Sequence, residues 1–315
     1  MLLVLCLFIV DMKTSYSVES PAIMVVPTNT LDETLTTGKN FTISIYTDYN
    51  GSDVWSYQFT LSYNASILHI EPLNKTDTWT GDGTQSTYNT TIKPVIEYSE
   101  KVYVNDVLKT RGAQYTIAYD EGRIWFFPYA VPPPESEVKA VYQYNIVNGD
   151  LITRDKAPSA RFEAGTFNNA LGTLSLTLAW FFYSEKPVNI TSGPGILANI
   201  TFTVVGYGTS NITLGSETKL VGWTESGYGE DYDIIDAKYD PDHIQHGYFS
   251  NKILGDVNGD GAVDTTDLIN FKEAYGSESG DPNWTTYAYC DLNGDGKVDA
   301  LDLFILSKNY GKSVP

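Results

Sequence analysis

A twelve-residue acidic loop occurs twice near the C-terminus of this chain, and it limits the fold more than any other feature. The first copy places Asp256, Asn258, Asp260, Asp264 and Asp267 at positions 1, 3, 5, 9 and 12. The second places Asp291, Asn293, Asp295, Asp299 and Asp302 at the same positions, 35 residues further on. Gly261 and Gly296 stand at position 6, where such a loop turns sharply, and the backbone carbonyls of Ala262 and Lys297 fall at position 7. Six or seven oxygen donors around one point suit Ca²⁺ better than Mg²⁺ or Zn²⁺. Two complete copies imply two calcium ions.

Each loop runs into a helical pattern, Thr265 to Tyr275 closed by Gly276 and Ala300 to Tyr310 closed by Gly311. Leu268, Phe271 and Tyr275 answer Leu303, Leu306 and Tyr310 as apolar stripes expected to pack together. Only Ser250 to Gly255 separate loop one from the preceding strand pattern, so no helix leads into it and a calmodulin-like pair is excluded. Half EF-hands with Asp at position 12 and a Tyr-Gly helix end resemble a type I dockerin over residues 254–315. That resemblance implies that calcium folds the module and that its helices grip a cohesin. It also places recognition residues at loop positions 10 and 11, here Thr265 and Thr266 in one copy, Ala300 and Leu301 in the other. The mismatch between the pairs implies two inequivalent faces; the alternative, that Ala300 and Leu301 only pack locally, stays open.

From about Pro21 to Ser250 the chain alternates with period 2. Phe41, Ile43 and Ile45 alternate with Asn40, Thr42 and Ser44, and Tyr57, Phe59, Leu61 and Tyr63 with Gln58, Thr60 and Ser62. Leu174, Leu176, Leu178 and Trp180 do the same with Ser175, Thr177 and Ala179. One apolar and one polar face per strand describes a β-sandwich. Residues 74–150 read as an inserted all-β domain, with a polar lead-in at Gly81 to Thr84, a hairpin turning at Asn105-Asp106, a second at Glu121-Gly122, and three prolines, Pro132 to Pro134, before a last strand from Val138 to Tyr144. The insert resembles a small all-β repeat of secreted and surface proteins. The flanks, 18–73 and 151–250, resemble the cohesin family through Gly38 to Ile43, Tyr57 to Leu68, Gly172-Thr173-Leu174, Gly193 to Phe202 and Gly247-Tyr248-Phe249. Cohesins are jelly-roll sandwiches that bind dockerins through one sheet face, so the resemblance implies that role here. The expected fold is mainly β: a cohesin-like jelly-roll sandwich with an inserted small all-β domain, followed by a C-terminal α module of paired half EF-hands.

Lys and Arg number 20 against 39 Asp and Glu, a formal net charge of −19, which repels phosphate backbones and argues against nucleic acid as a partner. Leu2 to Val10 is an unbroken apolar run, too short to span a bilayer and suited to a signal peptide over residues 1–17. No hydrophobic stretch follows the last module, so no transmembrane anchor is expected. Export is further suggested by Asn-x-Ser/Thr sequons at Asn40, Asn50, Asn64, Asn74, Asn89, Asn189, Asn199, Asn211 and Asn283. Of the two cysteines, Cys6 lies in the apolar run and Cys290 reads as a small buried hydrophobe.

His69, His243 and His246 are scattered, no hydrolase or zinc-protease motif occurs, and Glu230, Asp231, Asp233 and Asp236 read as a solvated acidic loop. No catalytic residue is expected. The leading expectation is an extracellular or cell-surface assembly protein working through calcium-dependent cohesin–dockerin pairing. The connection from Ser250 to Leu254 spans at most about 18 Å, which favours pairing between separate chains, including identical subunits joined head to tail into filaments or a surface lattice. The alternative is a carbohydrate-binding accessory that grips polysaccharide and docks to a separate cohesin scaffold.

Overall fold

The computed structural model describes residues 20–51, 54–149, 151, 160–163, 166–180, 194–223 and 231–314. The signal-peptide reading, Cys6, the sequon at Asn189 and Glu230 lie outside them.

The long alternating segments form two sheets around one core. The first sheet runs in the order Ile146–Asn148, Gly195–Val204, Asn40–Thr47, Ile23–Val26 and Ile244–Gln245, with Leu68–His69 joined to Gly195–Val204. The second centres on Val54–Ser62, which pairs with Thr173–Trp180, Thr209–Leu214 and Lys219–Trp223. Beyond these lie Ala160–Glu163, Asp231–Asp236, Gly247–Ser250 and Asn29–Leu31. Ile43, Ile45, Ile200 and Phe202 from the first sheet meet Tyr57, Phe59, Leu61, Leu174 and Leu176 from the second in a single buried cluster. Burying rows of this kind is the dominant stabilising term of such a fold. Tyr57 crosses it: its hydroxyl donates to the Leu197 carbonyl at 2.5 Å, and burial raises its pKa well above the phenol range.

Residues 73–144 carry a second core of Tyr88, Val95, Val102, Val104, Tyr115, Ile124, Phe126, Val138, Ala140 and Tyr142. Lys101–Val104 and Val107–Leu108 form the hairpin turning at Asn105-Asp106, both with positive φ (49° and 60°), as the tight hairpin turn requires. Tyr115–Ala118 and Arg123–Phe126 form the other hairpin. Two features depart from the sequence reading. Leu73–Thr80 is a full strand, paired along its length with Glu137–Tyr144, so a boundary at 74 falls inside it. Ile146–Asn148 pairs with Gly195–Val204, and Ile146 and Leu151 sit in the sandwich core, so the chain rejoins the sandwich before 151.

Leu73–Thr80 is hard to see in sequence because its buried position is occupied by Asp77. That carboxylate accepts from the Tyr142 hydroxyl (2.7 Å), the Thr91 amide (2.7 Å) and the Thr91 hydroxyl (2.8 Å). Burial first, then this hydrogen bond, pushes the Tyr142 phenol up to about 12.

The third core is small: Ile253, Val263, Phe271, Ala274, Cys290, Val298 and Leu306. Helices α1 (Thr265–Ala274), α2 (Trp284–Tyr287) and α3 (Ala300–Asn309) surround it. The apolar stripes read from sequence are corrected here. Phe271 and Leu306 are buried, whereas Leu268, Tyr275, Leu303 and Tyr310 are exposed. Among the described residues no helix is long and apolar enough to cross a membrane.

Replacing Asp77 by Ala leaves the buried Tyr142 hydroxyl and the Thr91 amide without their acceptor. Asp77→Ala is expected to cost about 1–3 kcal/mol in denaturant unfolding, and Asp77→Asn, which keeps one acceptor oxygen, less. An unchanged midpoint for Asp77→Ala would show that the network contributes nothing.

Candidate calcium loops and docking helices

The two acidic loops match hydrogen bond for hydrogen bond. At position 1, Asp256 accepts from Gly259 N (2.7 Å), Asp260 N (3.2 Å) and Gly261 N (3.0 Å). Asp291 accepts from Gly294 N (2.8 Å), Asp295 N (3.2 Å) and Gly296 N (2.9 Å). At position 3, Asn258 and Asn293 accept from the amides of Asp260 and Asp295, both at 2.9 Å. The carboxylates of Asp260 and Asp295 accept from the position-7 amides of Ala262 and Lys297. Gly261 and Gly296 adopt φ of +90° and +84°, backbone that disfavours a side chain.

Position 12 closes each loop. Asp267 accepts from Val257 N (2.8 Å), Asn258 N (3.1 Å) and Asp264 N (2.8 Å). Asp302 accepts from Leu292 N, Asn293 N and Asp299 N at 2.8, 3.1 and 2.8 Å. Asp264 and Asp299 in turn cap α1 and α3, accepting from Thr266 N and Leu301 N at 2.7 Å, and acidic groups in a first helical turn are favoured by the helix dipole.

The copies are interlaced. The segment after α3 lies against loop one: Val263 N donates to Lys312 O, Gly311 N to Val263 O, and Val314 N to Gly261 O. The segment after α1 lies against loop two in the same way, with Val298 N to Ser277 O, Gly276 N to Val298 O, and Ser279 N to Gly296 O. The carbonyls of positions 6 and 8 are thereby taken, and among the described residues those of Ala262 and Lys297 between them accept no backbone hydrogen bond.

This geometry bears on whether calcium fits. Asp267 and Asp302 are 0% exposed, and neither has a basic side chain within ion-pair distance among the described residues. Buried charge of this kind needs pairing or a metal. Every donor at positions 1, 3, 5, 7, 9 and 12 is oxygen, and the free position-7 carbonyls add the neutral ligand that a hard cation accepts. No three carboxylate, imidazole or thiol groups are already gathered in ligating geometry among the described residues, because the carboxylates face backbone amides. The residues fit calcium in donor chemistry and loop shape, and a bound ion would draw the carboxylates inward. Cys290, buried just before loop two, has its thiol pushed up to about 11, by burial first and then by Asp302 and Asp267, which suits a packed rather than reactive sulfur.

Thr265, Thr266, Ala300 and Leu301 are all exposed. The Thr265 hydroxyl lies 2.9 Å from that of Tyr310. Two further positions, missed in sequence, complete the outer helix faces. On α3, Leu301 (58% exposed) and Phe304 (57%) stand beside Lys308, whose ammonium sits 4.9 Å from the Phe304 ring. The 35-residue offset maps these onto Thr266, Ile269 and Glu273 of α1. One face is apolar and ends in a cation; the other is mixed and ends in an anion.

The remaining candidates do not converge. His69 contacts Glu71 at 3.2 Å, His243 lies 2.6 Å from the Pro21 carbonyl, and His246 accepts from Leu214 N at 3.2 Å, with burial lowering its pKa. Asp236 is buried against Lys219 at 2.6 Å, and Asp233 lies 3.4 Å from the same ammonium. The sequon residues Asn40, Asn50, Asn64, Asn74, Asn89, Asn211 and Asn283 are exposed; Asn199 is half-buried and accepts from the Ser44 hydroxyl at 2.7 Å.

With Cys290 0% exposed, its alkylation reports the integrity of this small core. Mass mapping is expected to show Cys290 protected in calcium and modified in excess chelator. Equal protection in both would mean that the core holds without metal.

Comparison with known families agrees with the geometry at the C-terminus. Residues 254–310 match the family described as dockerin type I domain, and no curated protein matches the chain. Among solved structures, the third cohesin of ScaC in complex with the ScaB dockerin from Acetivibrio cellulolyticus is 14% identical, with a TM-score of 0.33, covering 71% of this chain and 93% of that one. The seventh ScaB type I cohesin from Pseudobacteroides cellulosolvens is 12% identical, with a TM-score of 0.31, covering 72% and 89%. A type I cohesin–dockerin complex from Clostridium thermocellum is 8% identical, with a TM-score of 0.32, covering 73% and 96%. Scores this low assign nothing by themselves, so the sandwich is described by its own strands and registers. Residues 254–310 carry the dockerin type I pattern, that of a calcium-binding interaction module, on a chain that is otherwise mainly β.

Proposed function

We propose that this chain is a non-catalytic, exported assembly protein whose C-terminal module folds around two calcium ions and docks onto a cohesin-like sandwich of another chain. The observation that carries this reading is the outer face of α3. Leu301 and Phe304 are large apolar side chains left in solvent at the end of an acidic loop and just beyond it, and exposed aromatic anchors of this sort mark interfaces. The charge reversal from Lys308 to Glu273 supports docking through α3 alone rather than through either helix. Twelve residues would hold the ions: Asp256, Asn258, Asp260, Ala262, Asp264 and Asp267, with Asp291, Asn293, Asp295, Lys297, Asp299 and Asp302.

The partner is a sandwich in trans. Asn251, 2% exposed, donates to Leu35 O and Gly206 O and accepts from Gly208 N, so the connection is held rather than slack. Identical subunits joined this way make a heterologous contact, which propagates as an open filament when its rotation does not close. Exposed sequons support export. The polysaccharide alternative finds no stacking platform at Gln58, Thr60, Ser62, Thr173 and Ser175, the polar positions of the central strands of the second sheet.

Sedimentation velocity in calcium is expected to show species that grow with concentration and dissolve in chelator. Phe304→Ala is expected to weaken that association by roughly 30-fold, the scale of an interfacial hot spot. A calcium-loaded protein that stays monomeric throughout would end the self-assembly reading and leave a cohesin on a different protein as partner.

A further inference from the structure

The two calcium loops match internally but differ in what lies behind them. Tyr207 comes from the sandwich, in the turn between Gly195–Val204 and Thr209–Leu214, yet it packs against the C-terminal core. Its hydroxyl accepts from the Ile253 amide at 2.6 Å, on the chain that leads into Asp256, the first ligand position of loop one, and it interacts electrostatically with that carboxylate. Its ring lies against the same loop: a Cβ on Gly261 would stand 3.8 Å from the Tyr207 Cδ1. Asn251 fixes the turn that carries Tyr207, through Gly206 O and Gly208 N. At the rim, Lys312, in the segment that braces loop one, meets Glu33 of the sandwich at 2.6 Å. Among the contacts of the described residues, loop two has no counterpart from the sandwich. The residues before Asp291 belong to α2 and the turn after it.

We propose that Tyr207 is a positioning residue for the first calcium loop, so that cation binding at loop one and attachment of the C-terminal module to the sandwich are one coupled event, while loop two binds its ion without help from the sandwich. The inference rests on the calcium reading above. Its physical basis is that groups behind a ligand orient it, and their loss commonly lowers metal affinity. Tyr207 holds the backbone leading into the loop with its hydroxyl and lies against the loop's turn at Gly261 with its ring. A phenylalanine keeps the ring packing and removes the hydrogen bond to the Ile253 amide.

The test uses the full chain and calcium as the probe, by titration calorimetry and by heat unfolding at several calcium concentrations. The wild-type protein is expected to show two unequal affinities. Tyr207→Phe is expected to lower the loop-one affinity roughly tenfold, and to reduce the calcium-dependent rise in the unfolding temperature of the sandwich. Asp291→Ala, which disables loop two, isolates loop one, and the Tyr207→Phe effect should persist in that background. Lys312→Ala serves as the mild control, since an exposed ion pair contributes little. If calcium binds but Tyr207→Phe leaves both the isotherm and the sandwich transition unchanged, the coupling is wrong and the calcium loops stand. If wild-type protein takes up no calcium, the calcium reading falls and the coupling with it. Should Tyr207→Phe lower heat stability equally with and without calcium while the isotherm is unchanged, Tyr207 is only a packing residue and the proposal is overturned.

Discussion

The C-terminal module depends on two carboxylates that have been taken out of water. Asp267 and Asp302 each draw three backbone amides from the start and the ninth position of their own loop. Those bonds fix the loop as a ring and set the first turn of the helix that follows. They satisfy hydrogen bonding but do not cancel the charge, and a buried anion without a cation is expensive. With only seven buried apolar residues in the core, hydrophobic burial is too limited to absorb that cost. On the proposed calcium reading, the ion would be as much a part of this fold as Phe271 or Leu306, since a cation bound only in the folded state adds its binding energy to stability.

The sandwich solves a different problem with different means. Its strands bury continuous rows of Ile, Leu and aromatic side chains. Its buried polar groups are linked or paired: the Tyr57 hydroxyl reaches the opposite sheet, Asn251 ties three segments at the end where the C-terminal module begins, and the Asp236 carboxylate meets the Lys219 ammonium. The insert stands between these extremes, with an apolar core beside two buried carboxylates: Asp77, held by hydroxyl and amide donors, and Glu100, which accepts from the Tyr115 hydroxyl and pairs with Arg111.

The parts of this architecture visible in sequence are those written in local spacing. Positions 1, 3, 5, 6, 9 and 12 repeat in one short stretch, so both loops and the helices after them are legible residue by residue. Period-2 runs reveal Asn40–Thr47 and Val54–Ser62, and Asn105-Asp106 marks its turn. Leu73–Thr80 is obscured because a strand whose inward position is an aspartate breaks the alternation. The helix stripes mislead for a related reason. Leu268 and Leu303 have helical spacing with Phe271 and Leu306, but a core this small has room for one large residue from each helix. Tyr207 is invisible for a third reason, since its partners lie some fifty residues away and nothing around it announces them.

Each loop is braced by the tail of the other copy: residues 311–314 lie on loop one and 276–279 on loop two. Neither half is complete alone, for a single half would leave positions 6 and 8 of its loop without partners. Within one chain the two halves complete each other. Sharing a chain does not hold them to symmetry: one helix face carries Leu301, Phe304 and Lys308 while its twin carries Thr266, Ile269 and Glu273, which gives the pairing a front and a back.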